Sequence, residues 1–428
     1  MTRHVVALFP EASFGSALNC VGIAQQLQRQ GAVPVFLCHP GFSGVFAEYG
    51  FKEYQLPANS MATQQSEETW QAFVTSHLEH FNQDPTGQLT TYVAPTWEAI
   101  VDTAIQVEAG LEVLIKRIKP DAIILDNVIM FPAIANAGVP WIRVVSCAET
   151  EIPDANVPPY LSGMASDDPA RAAFEVAYLE ATAPPHQRYN GFRERCGLPA
   201  LREGQFLEPS PYLNLILAPE AIRHDRAMPL PSDRFVFLDG CVREEAQFDP
   251  PLLPINDGPI VYLSFGSLGA IDTALISRMI RVFATLPARF FVNVGGFLES
   301  YQEVPDNVYL GSWFPQPSIV AKADLFIHHG GNNSYCEALY FGVPSLIMPY
   351  CWDGHDNGKR AEQTGTGAHL QRDGWNDDVL REIVLSILDD NDMLRRLGTI
   401  SDLMSKDPGT IKAAQAILGV LRHPHLTQ

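Results

Sequence analysis

The chain has 428 residues, of which 49 are acidic and 29 basic, and its formal net charge is −20 at pH 7. A surface this negative repels the phosphates of nucleic acids and of anionic lipids, so the composition argues against both as partners. Hydrophobic residues make up 46% of the chain and charged residues 18%, as in ordinary globular domains. Because a chain of this length exceeds one hydrophobic core, we expect two domains.

The seven cysteines are scattered singly and form no CxxC pair. This spacing predicts free thiols in a reducing compartment and no zinc site. The first apolar run, residues 5–9, is too short for the core of a signal peptide. No apolar stretch approaches the ~20 residues that are needed to span a bilayer. We therefore expect a cytoplasmic protein without integral membrane association.

Short apolar runs alternate with helical patterns from the start of the chain. Residues 4–9 predict a buried strand, residues 16–30 a helix that is closed by Gly31, and residues 33–38 a second strand. This β-α-β order implies parallel strands joined by a right-handed crossover. The same pattern predicts strands at 121–126, 140–146 and 213–219, and a helix after Pro132.

Two blocks, residues 57–120 and 147–212, are less regular and are rich in proline, alanine and aromatic residues. Their aromatic rings belong either to helices packed on the sheet or to the wall of a pocket for a bulky apolar ligand. Both interpretations stay open for Trp70, Phe73, Phe81, Trp97, Tyr160, Phe174 and Tyr178.

Residues 239–259 have several prolines, mixed charge and no periodicity, as expected of a linker. A second series follows, with strands predicted at 260–266, 289–296, 307–313, 323–331 and 343–349. The expected fold class is α/β, with two Rossmann-like doubly wound domains that face each other across a cleft. The predicted units are a first domain at 1–238, a linker at 239–259, a second domain at 260–405 and a terminal helix at 406–428.

The second half places glycines and polar residues directly after predicted strands, where doubly wound folds bind ligands. Ser267 lies in a glycine-bounded turn, where a hydroxyl and free amides suit a phosphate. The segment from His329 to Ser334 opens a helix, and a helix N-terminus attracts anions. Trp313 offers a flat face for a base, and Glu337 can accept hydrogen bonds from ribose hydroxyls.

The joint spacing of these residues resembles the donor-binding signature of the UDP-glycosyltransferase superfamily (glycosyltransferase family one), and in particular bacterial natural-product and macrolide glycosyltransferases. The signature runs Trp-x-Pro-Gln, His-x-Gly-x-Asn-Ser-x-x-Glu, Gly-Val-Pro and Pro-x-x-x-Asp-Gln. It matches residues 313–316, 329–337, 342–344 and 349–353 here. The resemblance implies a GT-B fold whose first domain binds the acceptor, whose second domain binds the sugar-nucleotide donor, and whose terminal helix packs back on the first domain.

The resemblance also implies a role for each matching position. Trp313 would stack on the base, and Gln316 with Glu337 would hold the ribose. Asp353 would bind hydroxyls of the transferred sugar. The diphosphate would be bound by Ser267, His329, Gly331, Asn333 and Ser334.

Two positions depart from the family pattern. Asn332 stands where plant members usually have tryptophan. Gly354 stands where many members carry a glutamine that contacts the sugar. Gly354 therefore belongs to the predicted donor site but leaves the identity of the transferred sugar open.

The family's general base is a histidine just after the first strand, and Ser16 occupies that position here. A serine cannot act as the base, because its hydroxyl does not lose its proton near neutral pH. The histidine's usual partner is present as Asp126. Asp126 takes the proton itself, directly or through Ser16 or a water, or Glu11 is the base, or the acceptor needs none. His39 is a further candidate, better explained as a polar residue at a strand end.

The sequence thus predicts an inverting, metal-independent glycosyltransferase that moves a sugar from a UDP- or TDP-sugar to a lipophilic small molecule. The sugar nucleotide is a substrate and no cofactor is expected. No Asp-x-Asp dyad occupies a strand end, where a metal site would need one. The alternative is a catalytically silent protein that binds sugar nucleotides. We expect a monomer or a homodimer.

Overall fold

The computed structural model describes residues 3–57, 72, 75–254 and 258–422, without the side chains of Ser267 and Leu268. Trp70 and Phe73 lie outside the described residues. The alternating apolar runs of the sequence form two separate parallel sheets. The fold class predicted from the sequence, α/β with two doubly wound units, is confirmed.

The first sheet has seven strands, all paired in parallel. They are β1 (Val5–Pro10), β2 (Val33–Cys38), β3 (Lys52–Gln55), β4 (Ala122–Asp126), β5 (Trp141–Val145), β6 (Leu213–Leu217) and β7 (Phe235–Leu238). Their order across the sheet is β3-β2-β1-β4-β5-β6-β7.

The second sheet has six strands, also all parallel. They are β8 (Ile260–Ser264), β9 (Arg289–Asn293), β10 (Val308–Gly311), β11 (Leu325–His328), β12 (Ser345–Ile347) and β13 (Gly367–His369). Their order is β10-β9-β8-β11-β12-β13.

Helices connect the strands and cover the faces of the sheets, as parallel pairing requires. The longer ones are α1 (Phe14–Arg29), α2 (Ala94–Ile118), α3 (Arg171–Arg195), α4 (Thr273–Phe283), α5 (Asn332–Phe341), α6 (Asp353–Thr364), α7 (Asp377–Leu388), α8 (Asn391–Lys406) and α9 (Gly409–Arg422). Short helices lie at Val45–Glu48, Pro85–Gln88, Pro132–Ala135, Gly266–Gly269 and Gln316–Val320. In the described residues, no helix has the length and apolar character that crossing a membrane requires.

The C-terminal helix α9 returns to the first sheet. Its buried residues Ala413, Ala414 and Ile417 share one core cluster with Val6 of β1 and Leu215 of β6. The predicted return of the last helix to the first domain is therefore confirmed, while the domain boundaries proposed from the sequence stay a prediction.

In both sheets the strand order reverses at one place, between β1 and β4 in the first and between β8 and β11 in the second. Loops leave these neighbouring strands in opposite directions, which opens a crevice at the carboxyl edge of each sheet. The residues that follow these four strands are therefore the first candidates for a site.

The aromatic rings of the two irregular blocks serve mainly as core. Phe81, Trp97 and Phe174 are at most 2% exposed and belong to the largest hydrophobic cluster. Trp97 stacks on Phe206 with ring centroids 3.8 Å apart. Tyr160 is partly buried against the same cluster, so for these residues the packing interpretation holds.

Candidate functional site

The loop after β1 is tied to the end of β4 by Ser16. Pro10 pairs with Asp126 across the two strands, and the Glu11 amide donates to the Asp126 carbonyl oxygen at 2.7 Å. The Ser16 hydroxyl accepts from the same amide at 3.1 Å and donates to the same carbonyl at 2.8 Å. The Ser16 hydroxyl thus donates to a main-chain oxygen, and it also lies close enough to the Asp126 carboxyl to lower the pKa of that group. A proton relay through Ser16 would require a different hydrogen bond.

Asp126 lies beneath this loop and is only 1% exposed. Its Oδ1 accepts a 2.5 Å hydrogen bond from the Ser146 hydroxyl, and the Cys20 thiol lies 3.9 Å from Oδ2. Burial raises the pKa of Asp126 to about 8, and the Ser146 bond offsets only part of this. At neutral pH the carboxyl is mostly protonated, which weakens its candidacy as a base.

Glu11 is the more accessible carboxyl at the same edge. It is half-buried, and burial raises its pKa to about 7. Its side chain lines a small cavity together with Asp126, Ser146 and Glu151. The structure therefore brings both sequence-predicted carboxylates to one place and adds Glu151, which the sequence analysis did not single out.

His39 has the features of a structural residue. It is 9% exposed and stacks on Phe9 with ring centroids 5.3 Å apart. Burial lowers its pKa to about 4, so the ring is neutral at physiological pH.

At the edge of the second sheet, His329 follows β11 and precedes α5, whose N-terminus has no side-chain cap. Glycines make room for the imidazole, because a Cβ at Gly331 would lie 2.5 Å from His329 Nε2. Gly330 has a φ of +89°, which glycine adopts readily. Burial lowers the pKa of His329 to about 4, so the ring is a neutral donor. Its Nδ1 is buried and has no hydrogen-bond partner among the described residues.

Glu337 is committed to protein contacts. It is 0% exposed; Arg243 Nη1 lies 2.8 Å from Oε1, and Gln316 Nε2 donates to Oε2 at 2.8 Å. Gln316 Nε2 also lies 3.1 Å from the Ser334 hydroxyl. The structure brings Gln316, Ser334 and Glu337 together, and the roles that the resemblance implies for them stay a prediction. Arg243, which belongs to the predicted linker, lies against the Glu337 carboxylate. The resemblance assigned that carboxylate to the ribose of the donor.

Asp353 begins α6 and faces the start of α5. Its Oδ2 accepts from the Asn332 amide at 2.9 Å. Burial raises its pKa to about 7. The preceding Trp352 has a φ of +57°, and such backbone strain is concentrated at functional sites.

Gly354 lies against the His329 backbone. A Cβ at position 354 would come within 2.5 Å of the His329 carbonyl oxygen. A glutamine could not stand here without a shift of that backbone, so the departure from the family pattern follows from close packing. Asn333 and Gly331 are half-buried at the start of α5, and the side chain of Ser267 lies outside the described residues.

Trp313 is 57% exposed, and its ring lies 6.1 Å from that of Phe14, which is 39% exposed. Phe14 starts α1 in the first half of the chain, whereas Trp313 follows β10 in the second. An exposed indole at this position is free to stack on a flat ring.

Asn332 and Asp356, to which the sequence analysis gave no role in the site, join the two halves of the chain. Asn332 Nδ2 donates to the carbonyl oxygens of Ser146 at 3.1 Å and Leu217 at 2.8 Å. Asp356 accepts from the Thr150 hydroxyl at 2.6 Å and from the amides of Leu161 and Gly163 at 2.9 and 2.8 Å. The carboxyl edges of both sheets therefore face each other at close range.

The rule that ligands sit at strand ends could have drawn attention to Glu151, six residues after β5, but not to Arg243.

Comparisons with known proteins agree with this architecture. Residues 286–418 match the family described as Erythromycin biosynthesis protein CIII-like, C-terminal domain. The oleandomycin glycosyltransferase of Streptomyces antibioticus is 29% identical over 221 residues, which are 51% of this chain and 51% of the relative. The chain spans about half the length of the curated relatives it matches.

Solved structures match over nearly the whole chain. The kitacinnamycin glycotransferase structure aligns with a TM-score of 0.69 at 20% identity, covering 97% of this chain and 99% of the other. The glycosyltransferase VinC in complex with DTDP aligns with a TM-score of 0.66 at 16% identity, covering 98% and 100%. These structures confirm the predicted GT-B fold. The resemblance to the glycosyltransferase family is supported by the sequence matches.

Proposed function

We propose that this chain is an inverting glycosyltransferase that moves a sugar from a nucleoside-diphosphate donor to a lipophilic small molecule. The observation that carries the proposal is the juxtaposition of two unlike sheet edges. One presents the N-terminus of α5, where the Asp353 carboxylate takes the Asn332 amide, together with the neutral ring of His329, which suits a diphosphate. The other presents carboxyl groups, which suit proton transfer. Asn332 holds the two edges in contact.

The donor would lie along the edge of the second sheet. His329, Gly331, Asn333 and Ser334 would hold the diphosphate, with Ser267 in the neighbouring turn. Trp313 would stack on the base, and Gln316 would meet the ribose. Glu337 could bind the ribose together with Gln316 only if Arg243 moved, because the Glu337 carboxylate is fully buried. Asp353 and Gly354 would border the transferred sugar.

A UDP- or TDP-linked sugar is the proposed donor, as a substrate and not as a cofactor. One of the structures that share the fold was determined with DTDP bound. The leaving diphosphate would be stabilised by the positive end of α5 and by hydrogen bonds from His329, without a metal ion.

We propose Glu11 as the general base. Its pKa of about 7 lies near physiological pH, and it is more exposed than Asp126. The acceptor oxygen would attack the anomeric carbon and pass its proton to Glu11. The bond between that carbon and the diphosphate oxygen would break in line, so the configuration would invert. Asp126 and Ser16 would position the loop that carries Glu11.

The alternative function is a silent protein that binds sugar nucleotides without transfer. It is supported by Ser16, whose hydroxyl is engaged with the main chain, and by the mostly protonated Asp126. One experiment separates the two functions: incubation with UDP- and TDP-sugars and a pooled library of lipophilic acceptors, followed by mass spectrometry. A product with inverted anomeric configuration supports the transferase. Nucleotide binding in calorimetry with neither product nor donor hydrolysis supports the silent binder, and no nucleotide binding refutes both.

The base assignment has its own test. Glu11→Gln should lower kcat by about 100- to 10,000-fold, the usual contribution of a general base. Asp126→Asn should cost less, because Asn can still accept the Ser146 hydrogen bond. A larger loss of kcat for Asp126→Asn than for Glu11→Gln would identify Asp126 as the general base instead.

A further inference from the structure

Two exposed aromatic rings approach each other where the two sheet edges meet, one from each half of the chain. In the described residues, Phe14 is the one phenylalanine and Trp313 the one tryptophan among the exposed large hydrophobic side chains. Their ring centroids are 6.1 Å apart, and the ring planes are tilted by 52°. Large apolar groups that stay in water and gather at a cleft mark a place of binding.

The Phe14 ring is presented from a well-supported position. Helix α1 begins at Phe14 and is capped by Ser13, whose hydroxyl accepts from the Ser16 amide at 3.4 Å. The Phe14 ring also contacts that of Phe42, with centroids 5.2 Å apart, and Phe42 packs on the core of the first sheet. The first half of the chain therefore holds this ring at the edge of its own sheet.

The Trp313 indole is supported in the same way by the second half. The next residue, Phe314, is 2% exposed and makes edge contacts with Phe248 and Tyr262 in the core. Gln316, which the proposed function assigns to the ribose, follows two residues later. The indole thus stands beside the proposed ribose contact, with its backbone fixed and its ring exposed.

The distance between the two rings is close to what a flat ligand needs. Stacked rings have carbon atoms about 3.5–4.0 Å apart, so a base between two rings requires them to be about 7–8 Å apart and roughly parallel. Starting from 6.1 Å, Phe14 and Trp313 would have to separate by about 1–2 Å and align their planes. Because different halves of the chain carry the two rings, a small movement of the halves would supply this change.

We propose that Phe14 is a donor-binding residue and that the nucleobase lies between its ring and the indole of Trp313. This inference rests on the proposed function, which assigns Trp313 to the base. It adds a contact from the first half of the chain to the nucleotide. Donor binding would then hold the two halves together around the reacting groups.

The test compares flat and puckered bases by calorimetry. UDP is compared with 5,6-dihydro-UDP, and TDP with 5,6-dihydro-TDP; each pair has the same charge, sugar and diphosphate, but the dihydro base is no longer flat. The unmodified protein should prefer the flat base. Phe14→Leu keeps an apolar side chain and removes the ring, so it should weaken binding of the flat ligand by about 5- to 100-fold. Binding of the puckered ligand should change little.

Two further variants serve as controls. Phe14→Tyr keeps a flat ring and should bind UDP and TDP as the unmodified protein does. Tyr309→Leu removes a ring on β10 that is 39% exposed, as Phe14 is, and should leave all affinities unchanged.

Three results would overturn the inference while nucleotide binding kept the proposed function in place. If Phe14 only covers Trp313, Phe14→Leu will bind the nucleotide as tightly as the unmodified protein or more tightly, because the indole is uncovered. If Phe14 acts on the cleft and not on the base, flat and puckered ligands will lose affinity equally. The third result is equal binding of both ligands by the unmodified protein. An unmodified protein that binds neither UDP nor TDP would refute the proposed function instead.

Discussion

Glu11 directly follows β1 and Asp126 ends the neighbouring strand β4, yet the two carboxyl groups differ in how they can be used. Glu11 is half-buried and borders the cavity, whereas Asp126 is buried and bonded to Ser146. Burial favours the protonated form of both, so the pKa of Glu11 rises to about 7 and that of Asp126 to about 8. A base must be deprotonated to accept a proton, so Glu11 becomes competent at lower pH than Asp126.

This difference predicts the pH dependence of transfer. If Glu11 is the base, kcat/KM should fall about tenfold per pH unit below pH 7 and level off above it. An ordinary glutamate would place the acidic limb near pH 4 to 5. The pH profile of Glu11→Gln should lack the inflection near pH 7. An unchanged inflection in that variant would exclude Glu11 as the titrating group.

A second prediction concerns Arg243 and Glu337. Both side chains are at most 1% exposed, and their atoms lie 2.8 Å apart. Removal of one partner of a buried ion pair leaves the other charge uncompensated, so Arg243→Met should lower the free energy of unfolding by about 3–5 kcal/mol. Chemical denaturation measures the change, and adding Glu337→Gln should restore part of it.

The control for this prediction lies at the same end of the fold. Arg29 pairs with Glu244 at the surface, where both side chains are more than half exposed. Arg29→Met should leave the unfolding midpoint unchanged, because exposed pairs contribute little. Equal effects of the two substitutions would show that Arg243 and Glu337 do not form a buried pair in solution.

At the scale of elements, α9 is a structural part of the first sheet's core. Ile417 is 0% exposed and packs in the same cluster as Val6 and Leu215. Ile417→Ala should therefore destabilise the protein by about 2–5 kcal/mol, the range for deletion of a large buried aliphatic side chain. Gln415→Ala on the exposed side of the same helix is the matched control. Equal midpoints of thermal unfolding for the two variants would contradict the packing of α9 on the first sheet.

The elements that the sequence predicted well are those with a clear apolar signal. Residues 4–9, 33–38 and 121–126 form β1, β2 and β4, because each run is buried on both faces of its strand. The edge strands β3 and β7 escaped prediction, since they are short and partly exposed. The sequence left helices in residues 147–212 as one of two interpretations and did not locate α3, for another reason. It contains Pro184 and Pro185 and has no marked apolar stripe, and interior prolines normally argue against a helix.

The site was predictable to the extent that it depends on local spacing. His329, Asn333 and Ser334 are neighbours on one helix start, and the motif alone places them together. Glu151 and Arg243 carried no such signal, because they reach Glu11 and Glu337 only after distant segments have folded together. Asn332 stood out in the sequence only as a departure from the family pattern, yet its amide spans the two halves of the chain.

At the scale of the whole molecule, Asp356 holds the cleft closed. One carboxylate from the second half accepts three hydrogen bonds from Thr150, Leu161 and Gly163 of the first half. Charged hydrogen bonds of this kind are stronger than neutral ones. In the proposed transferase, access of both substrates would require the cleft to open, so these bonds would break and re-form in each cycle.

Asp356→Asn should shift the molecule toward an open form. The amide keeps one acceptor oxygen but turns an N–H group toward main-chain N–H donors, so at least one bond is lost and a repulsive contact appears. A compact chain of 428 residues has a radius of gyration of about 22 Å. We expect small-angle scattering of the variant to give a larger radius than that of the unmodified protein, and addition of TDP or UDP, the proposed donor nucleotides, to reduce the difference. Asp373→Asn makes the same chemical change at an exposed position and should leave the radius unchanged. Identical scattering from the two variants would mean that Asp356 does not control closure. Other hydrogen bonds between the halves would then hold the cleft, such as those of Asn332 and those of Arg360 to the carbonyl oxygens of Ile222 and Arg223.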